Sequence, residues 1–263
     1  MRRLLRVVLA GVYTLIGGVW IVSAVALERR AGVPPHGLGR WAQRQWCRGL
    51  CRLLGARLVV RGDRPVPGPV LLVSNHVSWL DIVCLAALWP VAFLSKSEVR
   101  RWPVIGQAAT ALGTVYIERG RQAAAARAVA AMRDRLHAGA RVLFFPEGTT
   151  GDGLGVRPFR ARLYQAAIDA GAPVQAVALR YHTDDGHAEA VPFTDDQSLV
   201  TNLWQVAGYP RLTVTVTVGP PRTTEELGRS ELARATCEDV RRGLRSGAAE
   251  EEAAAPEGIL ERS

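Results

Sequence analysis

Residues 69–96, PVLLVSNHVSWLDIVCLAALWPVAFLSK, decide the fold. Residues 69–74 are a short run rich in valine and leucine, 79–89 read as a helix, and 91–95 (VAFLS) open a second run of the first kind. A strand apolar at consecutive positions is covered on both faces, and strands alternating with helices build an α/β layer structure. The same pattern extends outward. Further strands are expected at 57–61, 114–117, 141–145, 174–179 and 211–218, helices at 121–138, 159–170 and 224–245, and a short helix near 103–111. The fold class is therefore α/β, a mixed, largely parallel sheet flanked by helices. Residues 247–263, rich in alanine and glutamate, show neither a strand nor a helical stripe and read as a mobile tail. No internal repeat is visible.

Ahead of the sheet the pattern changes. Val7 to Leu27 is a run of 21 uncharged residues between Arg6 and Glu28, and as a helix of about 31 Å it matches one hydrocarbon core. Ala24-Val25-Ala26 has the small-x-small form of a signal-peptide site. The run is longer than a usual signal core, however, and Arg29 and Arg30 follow at once, which favours a retained membrane anchor. Residues 38–55 carry Trp41, Gln45, Trp46, Gly49, Leu50, Leu53 and Leu54 on one stripe, with Arg40, Arg44, Arg48 and Arg52 at every fourth position. Such a basic amphipathic helix suits a membrane interface; the alternative is an ordinary surface helix. The organisation expected is an anchor over 1–30, the interfacial helix within 31–56, a catalytic-size domain over 57–246 and the tail over 247–263.

Composition fits an apolar attachment on a globular domain. Of 263 residues 48% are hydrophobic and 22% charged, too many charges for a multi-span membrane protein. The net charge of +9 and pI of about 10.2 point to an anionic partner. Among the 33 basic residues only Lys96 is lysine. The four cysteines show no CxxC spacing, which excludes a disulfide scaffold and points to a reduced compartment.

Chemistry is concentrated where strands end. Asn75-His76 leave one strand and Asp81 follows five residues later in the next helix. A carboxylate beside an imidazole holds one tautomer and stabilises the protonated ring, as a general base requires. Within one continuous helix positions five apart diverge by about 140°, so the pair meets only if the helix starts after His76. The loop RVLFFPEGTTGDG runs from strand 141–145 into Glu147-Gly148-Thr149-Thr150, at the carboxyl end where α/β sheets bind ligands. Its GDGLG lacks the GK[ST] ending of a phosphate loop. In GTVYIERG, Arg119 follows a strand and is placed to pair with a phosphate. Taken singly, these are also what a chance histidine, a polar loop and a surface arginine look like.

Taken together, NHxxxxD, the glycine-aromatic-Ile-x-Arg block ending at Arg119, and FPEGT resemble, in this order, the membrane-bound glycerolipid acyltransferases of the 1-acylglycerol-3-phosphate acyltransferase family. The resemblance spans about residues 57–220. Ala172–Leu179 (APVQAVAL) and Lys96-Ser97-Glu98-Val99 ahead of Pro103-Val104-Ile105-Gly106 match further family blocks. Phe159-Arg160-Ala161-Arg162 departs from the family, with arginine where glycine is common, and this bears on the acceptor more than on the chemistry. The resemblance implies that His76 takes the proton from an acceptor hydroxyl, oriented by Asp81, while that hydroxyl attacks a fatty acyl thioester without an acyl-enzyme. It implies that Arg119 and Lys96 hold the acceptor phosphate and that Glu147, Gly148 and Thr149 shape the acceptor site. The acceptor implied is a lysophospholipid, 1-acyl-sn-glycerol-3-phosphate first and lyso-ornithine lipid as the alternative. The co-substrate is an acyl carrier protein or coenzyme A thioester, with no cofactor and no metal. An anionic membrane is the expected partner, and the site is expected on the cytoplasmic face of the cell membrane. The chemistry agrees, since a thioester is already activated and one base with positioning suffices.

Other constellations carry less. No G-x-S-x-G elbow surrounds Ser74 or Ser78. His182 and His187 lie in a polar turn, and a solvated loop explains them better than a metal. No nucleic-acid-binding motif accompanies the arginines. A non-enzymatic membrane-binding protein, the rival of a different class, would use the charge without His76.

Overall fold

The computed structural model describes residues 1–32, 37–118, 122–194 and 197–254. Its strands are Ala56–Gly62 (β1), Val70–Ser74 (β2), Ala92–Lys96 (β3), Val115–Ile117 (β4), Arg141–Phe144 (β5), Val174–Thr183 (β6), Gly186–His187 (β7) and Leu212–Arg222 (β8). They form one sheet in the order β1-β8-β6-β2-β5-β3-β4, with β7 beside β6. β2 runs parallel to both β5 and β6, β3 to β4 and β5, and β1 to β8; β8 and β7 run antiparallel to β6. The sheet is thus largely parallel, and all seven expected strands are in it. β7, two residues long, is an addition.

The helices are Arg2–Arg30 (α1), Leu38–Leu54 (α2), Leu80–Leu88 (α3), Ile105–Ala111 (α4), Gln122–His137 (α5), Gln165–Ala170 (α6), Leu199–Val206 (α7) and Arg229–Ala254 (α8). Val70 and Leu72 pack toward α2 and α3, whereas Leu71 and Val73 pack toward α5, α6 and α8; all four are 0% exposed. The unbroken apolar run of β2 is the mark of a central strand with helices on both faces. α7 was not expected; the hydroxyl of Ser198 caps it by accepting from the Thr201 amide at 3.1 Å. α8 continues through Ala254, so residues 247–254 of the expected tail are helical, and 255–263 lie outside the described residues. Alanine and glutamate favour helix without an apolar stripe, and a helix already nucleated on the domain propagates cheaply.

The two N-terminal helices pack against the domain. The inner face of α1 carries Gly17, Gly18, Ile21, Ala24 and Val25 against the domain. A Cβ on Gly17 would lie 1.8 Å from the Trp46 ring, and one on Gly18 would lie 2.1 Å from Val104 Cγ1, so two glycines let α1 seat. Both ends are tied down. Arg2 Nη2 donates to Gly208 O at 2.8 Å and Arg6 Nη1 to Tyr209 O at 2.5 Å, while the Glu28 carboxylate accepts from the Leu38 and Gly39 amides. Leu5, Val8, Val12, Leu15, Ile16 and Val19 remain exposed on the outer face. α2 is wedged between α1 and α3, burying Cys47, Leu50, Cys51 and Leu54, with Trp41 left outside. Arg44 and Arg48 each donate through Nε to Ala87 O at the end of α3, where carbonyls lack helical partners. Two of the four periodic arginines therefore serve the fold.

Candidate active site

The site forms because β2 stops at Ser74 and α3 does not begin until Leu80. The intervening turn folds His76 back over the helix, and His76 Nδ1 lies 2.7 Å from Asp81 Oδ2. The same oxygen accepts from the Val77 and Ser78 amides at 2.8 and 3.0 Å, and Oδ1 accepts from Tyr181 Oη at 2.6 Å. Asp81 is fully buried with donors all round, so Nδ1 carries a proton and Nε2 is left as the basic nitrogen. Burial, then the Asp81 carboxylate, push the Tyr181 hydroxyl well above its ordinary value, which keeps it a donor. The Phe145 ring stacks on the imidazole at 4.0 Å between centroids. Asn75 fixes the exit of the strand, its amide pairing in both directions with the backbone of Leu179 on β6.

Glu147 bridges two loops: its Oε1 accepts from the His76 amide at 2.8 Å and its Oε2 from the Arg157 amide at 2.9 Å. It is a buried strut between the turn after β2 and the loop after β5. Burial raises its pKa, and the two amides partly offset that. Gly148 has φ +77°, and the Arg160 guanidinium lies 2.9 Å from where its Cβ would be.

A cleft of about 830 Å³ opens beside His76 at the carboxyl ends of β3, β4 and β5. Lys96, Gly148 and Thr149 line it, joined by Glu118, Arg160 and Arg162; Ile82, Leu94, Ile117, Phe144 and Phe145 supply apolar wall. Arg119 lies outside the described residues. Tyr181 and Arg160 stand in the site without having been singled out as site residues from the sequence. Tyr181 is 100 residues from Asp81 and carries no local signal, whereas Arg160 lies two residues before Arg162, the arginine at the family's glycine position. Among the described residues no group of three or more His, Cys, Asp or Glu side chains could hold a metal. His182 Nε2 lies 3.2 Å from Thr215 Oγ1 and His187 Nε2 lies 3.2 Å from Asp152 O.

A carboxylate-oriented imidazole at the rim of a deep, largely apolar cleft, on the carboxyl edge of a mostly parallel sheet, defines a group-transfer enzyme with an amphiphilic substrate. Comparison with known proteins narrows this class. Residues 57–180 match the Acyltransferase family. A lyso-ornithine lipid O-acyltransferase of Pseudomonas aeruginosa is 38% identical over 229 residues, covering 86% of this chain and 88% of the relative. A 1-acyl-sn-glycerol-3-phosphate acyltransferase of Neisseria meningitidis is 42% identical over 170 residues, covering 64% and 67%. The crystal structure of the 1-acyl-sn-glycerophosphate acyltransferase of Thermotoga maritima superposes with a TM-score of 0.70 over 94% of this chain and 97% of that one, at 21% identity, and so shares the fold. The chain belongs to the acyltransferase family.

Proposed function

We propose that the enzyme moves a fatty acyl group from an acyl carrier protein or coenzyme A thioester to the free hydroxyl of a lysolipid. The observation that carries this reading is the His76–Asp81 pair at 2.7 Å, opening on a cleft with an apolar wall and a cationic rim. The acceptor hydroxyl gives its proton to His76 Nε2 as its oxygen bonds to the thioester carbonyl carbon. The imidazolium is stabilised by Asp81. Collapse of the tetrahedral intermediate breaks the C–S bond, and the thiolate takes the proton back from His76. The apolar wall suits an acyl chain, and Lys96 with Arg160 suits an anionic headgroup. By the resemblance, Arg119 would join them. The exposed apolar face of α1 would lie in the cell membrane, with the cleft on its cytoplasmic side.

Two acceptors are in contention, and lyso-ornithine lipid is favoured over lysophosphatidate. The lyso-ornithine relative aligns over 86% of the chain, against 64% for the lysophosphatidate relative. The rim also carries Glu118 as well as cations, and an ornithine headgroup bears an ammonium as well as a carboxylate. The test is to incubate the purified enzyme with a labelled acyl thioester and a panel of lysolipids and to identify the product. Acylation of lyso-ornithine lipid in preference to lysophosphatidate is expected. The reverse preference overturns the acceptor, and no acyl transfer to any lysolipid overturns the function.

A further inference from the structure

A second cavity, of about 310 Å³, lies at the opposite end of the sheet from His76, where the first turn of α2 meets the turns that lead into β2, β3 and β5. Its walls include Arg40, Gly68, Pro90, Ala140 and Arg141. Arg40 is 8% exposed, and among the described residues both Nη1 and Nη2 are shut off from solvent without a hydrogen-bond partner. Arg141 Nε is buried without a partner as well, while its Nη2 donates to Val66 O at 3.3 Å. The acid facing Arg40 is Glu28, whose Oε1 is occupied by the amides of Leu38 and Gly39. Arg135 adds positive charge. Burial, then Arg135, bring the Arg40 guanidinium down to about 10, which still leaves it charged at neutral pH. Burying guanidinium N–H groups with no hydrogen-bond acceptor is costly, and an anion in the cavity would supply the acceptors.

We propose that this cavity is an anion-binding site, separate from the catalytic cleft, in which Arg40 and Arg141 hold a phosphate group from a phospholipid headgroup or from inorganic phosphate. A guanidinium fork matches phosphate with two parallel hydrogen bonds. The position suits a headgroup. Leu38 and Trp41, on the same turn as Arg40, are exposed, and Trp41 meets Trp20 of α1 edge to face at 5.5 Å, so the apolar outer surface reaches the cavity. The proposal does not rest on the acyl-transfer reading.

The test is thermal unfolding of the full chain in a neutral detergent, with wild type, Arg40→Met and Arg141→Gln side by side. Three conditions are compared at equal ionic strength: chloride alone, inorganic phosphate, and chloride with phosphatidylglycerol in the micelles. In chloride, Arg40→Met should melt at or above wild type, because it removes an uncompensated buried charge. With anion present, wild type should gain stability by mass action, with an apparent affinity about tenfold or more above that of Arg40→Met, and Arg141→Gln should fall between. The catalytic cleft is unchanged in all three proteins, so any binding there cancels in the comparison. A wild-type gain with phosphatidylglycerol alone assigns the site to a lipid, and a gain with inorganic phosphate as well assigns it to the phosphate group itself. Equal gains in all three proteins, no gain in wild type, or an Arg40→Met that melts below wild type in chloride overturns the proposal.

Discussion

At the scale of the residue, the proposed function places activity on one imidazole and the groups that aim it. His76→Ala should lose at least about 10²-fold in kcat with an unchanged circular dichroism spectrum, the low end for removing a general base. Tyr181→Phe takes away the hydrogen bond that Asp81 Oδ1 accepts and leaves the three on Oδ2. A carboxylate relieved of a donor attracts the imidazolium more strongly, so the acid limb of kcat/KM should move to higher pH, by up to about one unit for a bond of about 1 kcal/mol. A purely structural tyrosine would leave that limb in place. Glu147→Gln sets an NH2 group against the His76 or the Arg157 amide, donor facing donor, and should cost about tenfold or more in kcat through misplacement of the base. Because burial lifts the pKa of Glu147, the carboxylate takes up a proton at a higher pH than usual and then loses one of its two amide partners. Wild-type activity should therefore fall on the acid side more steeply than one ionisation allows, and Glu147→Gln should restore the single slope.

At the scale of the element, α1 and α2 show a helix pair whose seating depends on absent side chains. Trp46 fills the notch at Gly17 and donates through Nε1 to Tyr13 O at 3.2 Å. Gly17→Leu should unseat α1 and lower stability by about 1–3 kcal/mol, the usual range for overpacking, read as a lower melting temperature in detergent. The substitution lies far from His76 in the chain, so residual activity below the new melting temperature should keep the wild-type pH profile.

At the scale of the whole molecule, both ends of α1 are bonded to the same globule. A helix held in that way is expected to lie along a bilayer surface with its apolar outer face down. In sealed vesicles, single cysteines replacing Arg2 and Arg30 should both react with a membrane-impermeant maleimide from the same side. The four native cysteines are buried and give little background. Labelling of one position from each side would instead show that α1 crosses the membrane.

The local content of the chain determined the strands, the central place of β2, the turn that joins His76 to Asp81 and the apolar helix at the start, because periodicity and five-residue spacings are properties of neighbouring residues. What α1 and α2 pack against, and hence that the anchor is a wall of the domain, depended on which faces met. Nothing in residues 38–55 distinguishes an arginine bound to the end of α3 from one facing lipid. Glu147 sits in a loop at a strand end, and only folding shows two amides converging on its carboxylate. Tyr181 reached Asp81 because parallel β2 and β6 are neighbours in the sheet, a juxtaposition created by strand order rather than by sequence distance. Arg40 is the sharpest case. The sequence presents it as one of four equivalent arginines, and tertiary packing alone removes it from water and leaves its Nη1 and Nη2 without a hydrogen-bond acceptor among the described residues.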